Sequence, residues 1–304
     1  MTTRQSEAGK RRQCIAWHGW SLDVPADWNP VRIEGGWRSG FVLLADLHKP
    51  RLGLRWGAVG GKRFDAGIWA RSAMRDEVGV IASREAKPLD REGFEASIHY
   101  PEPDLPGRDV WVGYSPASGR GVELIYHAQR RDDVLANRIL PTLRDCAPGA
   151  ATPWSAFDLS CVAPVGMTLK AHDFSAGDMR LAFACGKTRR FASVRQIAVA
   201  KLALSRMPLA KWLADDLRAR RAHYAASADE FEVAHETSDG RALRGIGKRL
   251  RRRWRSFFMR WIPRELVAAA VHDEARDRLV LVQASSAELL NEIARSVGCC
   301  GASG

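Results

Sequence analysis

Residues 17–28, Trp17-His-Gly-Trp-Ser-Leu-Asp-Val-Pro-Ala-Asp-Trp28, constrain this chain more than any other stretch. Trp20, Leu22 and Val24 alternate with Ser21 and Asp23, the period-2 pattern of a half-buried β-strand. Pro25 ends that strand because it lacks the next ladder donor and fixes its own φ. Trp28 follows as a large apolar plug. A blurred copy returns at 157–167, with its proline displaced by two positions and Met167 in the place of Trp28. The chain reads as one architecture built twice.

The rest of the pattern supports that reading. Phe41–Ala45 and Leu52–Trp56 read as strands, separated by the breaker-rich 46–51. Phe64–Val78 has helical spacing, Gly93–His99 returns to alternation, and Val110–Tyr114 with Val122–Ala128 forms a hairpin around 115–120. Asp132-Asp133 can cap a helix running to about Leu143. In the second half Met179–Ala184 takes the place of Leu52–Trp56, and a helical region over about Val194–Arg221 takes that of Phe64–Val78. Leu266–His272 with Leu279–Ala284 repeats the hairpin, and Ser286–Val297 repeats the closing helix, with Ser285 or Ser286 as N-cap. A repeat of this period points to two copies of a domain rather than a solenoid.

The expectation is therefore an α+β chain of two tandem domains of similar topology, each an antiparallel sheet with packed helices. A flexible basic tail spans 1–13, a first repeat 14–150, and a second 151–304 that carries a basic aromatic insertion at 247–264. An aromatic-led strand ending in Pro25, Trp28 just after it, then strands, a helix, a hairpin and a closing helix resembles the PsbP-like fold. That is the superfamily of photosystem accessory proteins, Ran-binding import factors and bacterial lipoproteins. The resemblance implies a non-catalytic accessory or binding role and supplies no catalytic residue.

Composition narrows the function classes. No apolar run is long enough to span a bilayer, and Met1–Gln13 does not read as a secretory signal, so a soluble cytoplasmic protein is expected. Six cysteines without a C-x-x-C pair argue against a disulfide framework or a zinc site. Cys161 and Cys185 read as buried thiols, and Cys299-Cys300 as an inert tail. Trp20, Trp56 and Trp111 read as core, whereas Trp17 and Trp37 beside glycines are candidates for exposure.

The net charge of +12 is unevenly placed: residues 1–150 carry 22 Lys+Arg against 19 Asp+Glu, the remainder 25 against 16. Eight basic residues and no acidic one lie between Lys248 and Arg264. Here Lys248, Arg249, Arg251, Arg252, Arg253, Trp254, Arg255, Arg260 and Trp261 form the candidate site. In a helix Leu250, Trp254, Phe257, Phe258 and Trp261 share one face; from Arg253 onward a strand reading is also open. Arginines offer bidentate geometry to phosphate, and interleaved aromatics can stack on bases or sit at a lipid interface. The plainer alternative docks the apolar face on the sheet and leaves the arginines as a solvated rim.

Catalytic patterns are poor. The segment 57–63 has a misplaced first glycine and Arg63 where a phosphate loop needs Ser or Thr, so it reads as a turn. His272-Asp273-Glu274 lacks a second histidine at ligand spacing and reads as a solvated turn. We expect a non-enzymatic adaptor working through protein–protein contacts, with no cofactor. The alternative is binding to nucleic acid or an anionic membrane through 248–261, and an enzyme without recognisable motif comes third.

Overall fold

The computed structural model describes residues 11–60, 64–73, 85–101, 107–128, 134–186, 188, 190–220, 224–236, 242–252 and 263–298. The chain divides into two compact units, Met1–Pro148 and Gly149–Gly304.

In the first unit β1 (Arg12–Trp17) and β2 (Trp20–Pro25) form a hairpin, extended by the two-residue β10 (Arg144–Asp145). The expected tail thus overlaps β1 at Arg12 and Gln13. The strands β3 (Asn29–Gly35), β4 (Ser39–Ala45), β5 (Pro50–Ala58), β6 (Lys87–Pro88), β7 (Glu95–Tyr100), β8 (Gly107–Ser115) and β9 (Arg120–Ala128) build a seven-stranded sheet ordered β3-β4-β5-β9-β8-β7-β6. The alternation of β2 buries Trp20, Leu22 and Val24. Trp20 meets Trp56 of β5, and Trp28 stacks on Tyr126 of β9. The opposite face of the sheet carries helix α1 (Ala66–Ala73), whose Ala66 and Trp69 join Val110, Val112 and Ile125 in one apolar cluster.

The second unit repeats this construction. β11 (Thr152–Ala156) and β12 (Leu159–Ala163) form its hairpin. Its seven-stranded sheet comprises β13 (Thr168–Ser175), β14 (Asp178–Ala184), β15 (Phe191–Ala198), β16 (Tyr224–Glu236), β17 (Ala242–Arg252), β18 (Glu265–Asp273) and β19 (Arg278–Ala284). The order β13-β14-β15-β19-β18-β17-β16 is that of the first sheet, position for position. Helices α2 (Ala200–Leu204) and α3 (Leu209–Arg220) follow β15, and α4 (Ala287–Ser296) closes the unit. The Ser286 hydroxyl accepts the Leu289 amide, the N-cap expected of that segment.

Four readings need correction. The architecture is mostly antiparallel β, with few and short helices, so α+β with packed helices is not the class, and the PsbP-like resemblance falls with it. That resemblance rested on Trp20–Trp28, a strand, a proline and a plug, which any hairpin covering a sheet can carry. Phe191–Ala198 is a strand rather than the start of a long helix. It is an interior strand of a sheet covered on both faces, so five of its eight residues are buried and no strict alternation is left to read. Where a helix was expected to close the first unit, the described residues form a π-helical turn, Leu135–Ile139, and a 3₁₀ turn, Leu140–Thr142, because Pro141 has no amide to continue the ladder.

The repeat itself was aligned one strand out of step. Met179–Ala184 belongs to β14, which corresponds to β4, and β15 corresponds to β5. Strand β13 is exposed along nearly its whole length, so it lacks the apolar alternation that would have marked it. The hairpins also align without displacement. The turn residues His18 and Gly19 correspond to Phe157 and Asp158, all four at positive φ, which a two-residue hairpin turn of this hand requires. Pro25 then matches Pro164 and Trp28 matches Met167. The amides of Trp28 and Met167 donate to the carbonyls of Pro25 and Pro164, each over 3.0 Å.

Candidate interaction surfaces

Two places in the second unit present apolar or cationic side chains to solvent. The first is where β15 leaves the sheet. Val199 adopts the left-handed conformation, φ 59° and ψ 50°, which is unfavourable for a β-branched residue. Asp277, the last residue of the β18–β19 turn, holds it there: its carbonyl accepts the Ala200 amide over 3.1 Å, and its carboxylate Oδ1 accepts the Lys201 amide over 2.7 Å. The side chains this arrangement offers to solvent are apolar. Val199 is 52% and Leu202 72% exposed, and Lys201 and Arg206 beside them are exposed as well. An isolated exposed valine needs no explanation. An exposed valine in a strained conformation, clamped by an aspartate, is a knob with a cationic border.

The second place is the β17–β18 end predicted from sequence. In register, Lys248 opposite Ala268 corresponds to Tyr100 opposite Val110. Strand β7 stops there, whereas β17 continues to Arg252. Lys248 through Arg252 are thus extended, not helical. Leu250 points into the core formed with Leu213, Leu217 and Tyr224, and Lys248 is buried on the same face. Arg249 and Arg251 lie on the opposite face in solvent, with Glu265 3.7 Å from Arg251. The Arg252 amide donates to the Arg264 carbonyl over 2.9 Å, and the Tyr224 hydroxyl donates to the Pro263 carbonyl over 2.7 Å. These two bonds pin the base of the connection. Arg253, Trp254, Arg255, Arg260 and Trp261 of the candidate site lie outside the described residues.

Two buried arginines are committed to structure. Arg120, 1% exposed, starts β9 and donates to the carbonyls of His18 at 2.8 Å and Trp37 at 2.9 Å. It also pairs with Asp145, which accepts a second bond from Ser118. Its guanidinium stacks 4.6 Å from the centre of the Trp37 ring. Gly19 leaves the space that ring fills, since a Cβ there would collide with it. Sequence reasoning missed this network because its members lie at 18, 37, 118, 120 and 145 and meet only when the hairpin folds back. Trp17 is buried rather than exposed, and Trp37 is half-buried under Arg120. Cys146 donates its thiol to the Gly19 carbonyl, and burial together with Asp145 pushes that thiol's pKa up, away from reactivity.

Arg195 of β15 holds the corresponding burden in the second unit. It makes a two-pronged pair with Asp178, 2.6 and 2.5 Å, and bonds Asp216 of α3 at 2.8 Å. Burial lowers its affinity for the proton, but the bonds to the two aspartates outweigh that and raise it.

The remaining sequence candidates do not assemble. Gly57 lies in β5, and Gly61, Lys62 and Arg63 fall outside the described residues, as do Cys299 and Cys300. Among the described residues no group of three or more His, Cys, Asp or Glu is placed to hold a metal ion, His272, Asp273 and Glu274 included. No described helix is long and apolar enough to cross a membrane.

No family model and no curated protein matches the chain. A solved structure that aligns with it is the apo form of the immunity protein TplEi of the T6SS from Pseudomonas aeruginosa. The alignment has 12% identity over 96% of this chain and 97% of that one, with a TM-score of 0.33. At that score a shared fold is not established.

Proposed function

We propose that this chain is a non-enzymatic binding protein that holds a protein partner through its second unit. The observation that carries this reading is the Val199–Leu202 knob. Backbone strain of about 1–3 kcal/mol is kept where it serves a task, and here it holds two apolar side chains in water next to Lys201 and Arg206. The partner that fits is a protein with an apolar socket and an acidic border, because only then are both the knob and its cations satisfied.

A second reading, attachment to nucleic acid or an anionic membrane, is favoured by the extension of β17 that leaves Arg249 and Arg251 in solvent. One experiment separates the two. Affinity capture from native lysate compares the intact protein with Val199→Asn/Leu202→Ser and with Arg249→Ser/Arg251→Ser. A defined protein retained by the wild type and the arginine variant, and lost from the knob variant, is the result expected. Recovery of nucleic acid or lipid that only the arginine variant loses, and that weakens steeply with added salt, overturns it.

A further inference from the structure

Glu123 of β9 differs from every other buried charge described above. It is fully buried, at 0% exposure, between Arg55 of β5 and Val112 of β8. Neither of its carboxylate oxygens meets a hydrogen-bond donor among the described residues. The Arg55 Nε lies 3.8 Å away, on a side chain that is itself 36% exposed. One row toward the β8–β9 turn, Gly57 and Gly121 open the space in which α1 seats its aromatic side. A Cβ on Gly57 would stand 2.8 Å from the Trp69 ring, and one on Gly121 2.8 Å from that of Phe64. One row the other way, Ile125 belongs to the same apolar cluster as Phe64 and Trp69. The carboxyl therefore lies within the seam between α1 and the sheet. The fold does not require it: the equivalent position in the second sheet is Leu281, opposite Arg195, whose charge is met by Asp178 and Asp216 instead.

We propose that Glu123 is a proton-operated latch for α1, compatible with the apolar seam when protonated and loosening the helix when ionised. Among the described residues, Arg55 approaches this seam from β5, Tyr100 lies on β7, Arg108 and Tyr114 lie on β8, His127 lies further along β9, and Asp65 stands at the head of α1. Burial pushes the Glu123 carboxyl up to about 7, with Arg55 pulling the other way. Burial and Arg108 lower the pKa of His127. Asp65 is exposed and accepts the Ile68 amide at 2.8 Å, and Tyr114 stacks on Phe64. An ionised Glu123 has Arg55 as its compensating charge and otherwise recovers its hydration only if the seam opens.

The test is hydrogen exchange of residues 64–73 in the full chain at pH 5.5 and 8.5, corrected for intrinsic rates, with α4 as internal control. The wild type is expected to lose at least about tenfold protection at pH 8.5 while α4 keeps its own, and Glu123→Gln is expected to show equal protection at both pH values. Equal wild-type protection at the two pH values, or pH dependence that persists in Glu123→Gln, overturns the latch. Glu123→Leu, which copies Leu281, guards against a packing defect peculiar to glutamine and must also hold its pH 5.5 protection at pH 8.5.

Discussion

Two sheets of identical strand order place an arginine at the same register position and treat it in opposite ways. Arg55 in the first faces a buried glutamate at 3.8 Å, beyond hydrogen-bond reach of that carboxylate, whereas Arg195 in the second is gripped by two aspartates, one of them on a helix. At the hairpin turn the roles reverse. Arg120 is sealed under Trp37 and saturated with acceptors, while its counterpart Arg278 is partly exposed and only 3.9 Å from the exposed Asp158. Each unit spends one fully satisfied arginine on joining elements: the first joins its small hairpin to the large sheet, and the second joins a helix to the sheet. A duplicated β scaffold can thus move its polar anchor from the start of one strand to the interior of the neighbouring strand while the ladder stays the same.

The comparison breaks most visibly at Arg120. Arg120→Ala leaves Asp145 buried without its partner and should cost about 3–5 kcal/mol, whereas Arg278→Ala should cost less than about 1 kcal/mol. Urea unfolding of the two variants decides this, and equal losses would mean that the two turns are not differently anchored.

Glu123→Leu should come next, with the opposite sign. The folded pKa near 7 lies above the ordinary value of 4.5, so as pH rises the unfolded chain gives up this proton first. The associated stability is complete below about 4.5, declines through the window and is gone above about 7. The variant should therefore gain about 3 kcal/mol over wild type at pH 8 and nothing at pH 4. A gain of the same size at both pH values would assign it to packing alone.

Arg195→Met should cost about 2 kcal/mol, since Asp216 is left nearly buried with its partner gone, and Arg55→Met should cost less. Thermal melts at pH 8 rank the pair. The smallest effect is expected from Val199→Asn, which suits the left-handed conformation. It should add about 1 kcal/mol while removing partner binding. Tighter binding by that variant would show that the strain does not serve the contact.

How much of this was legible follows from where each residue sits. Strand β2 announced itself because one face of it is core and the other is not. The β8–β9 and β18–β19 hairpins, buried on both faces along most of their strands, were legible instead as short apolar runs on either side of turns of equal length. Strand β15 was not: burial on both faces removes the period-2 contrast there as well, and Ser193, Arg195 and Gln196 interrupt the apolar run that marks β18 and β19. Strand β13 failed for the converse reason, having almost no buried side to show. The basic cluster at 248–261 was visible as composition, but that its first five residues extend a strand depends on pairing with Glu265–Ala268, which local spacing does not encode. Val199 was invisible as a surface group: in sequence a valine followed by Leu202 looks like the apolar stripe of a helix. Only its backbone conformation and exposure distinguish it.

The pinned base at Arg252 and Arg264 has a consequence for how the second unit can change over time. Because β17 and β18 are already zipped up to that pair, the ladder is closed by bonds of its own, and in general doubling the length of a flexible closure costs only about 0.6 kcal/mol. The arginine- and tryptophan-rich connection is therefore a socket for variation. It can be lengthened, recoded or exchanged for a short turn in a lineage without renegotiating the ladder beneath it, and selection can tune what the unit attaches to separately from whether it folds.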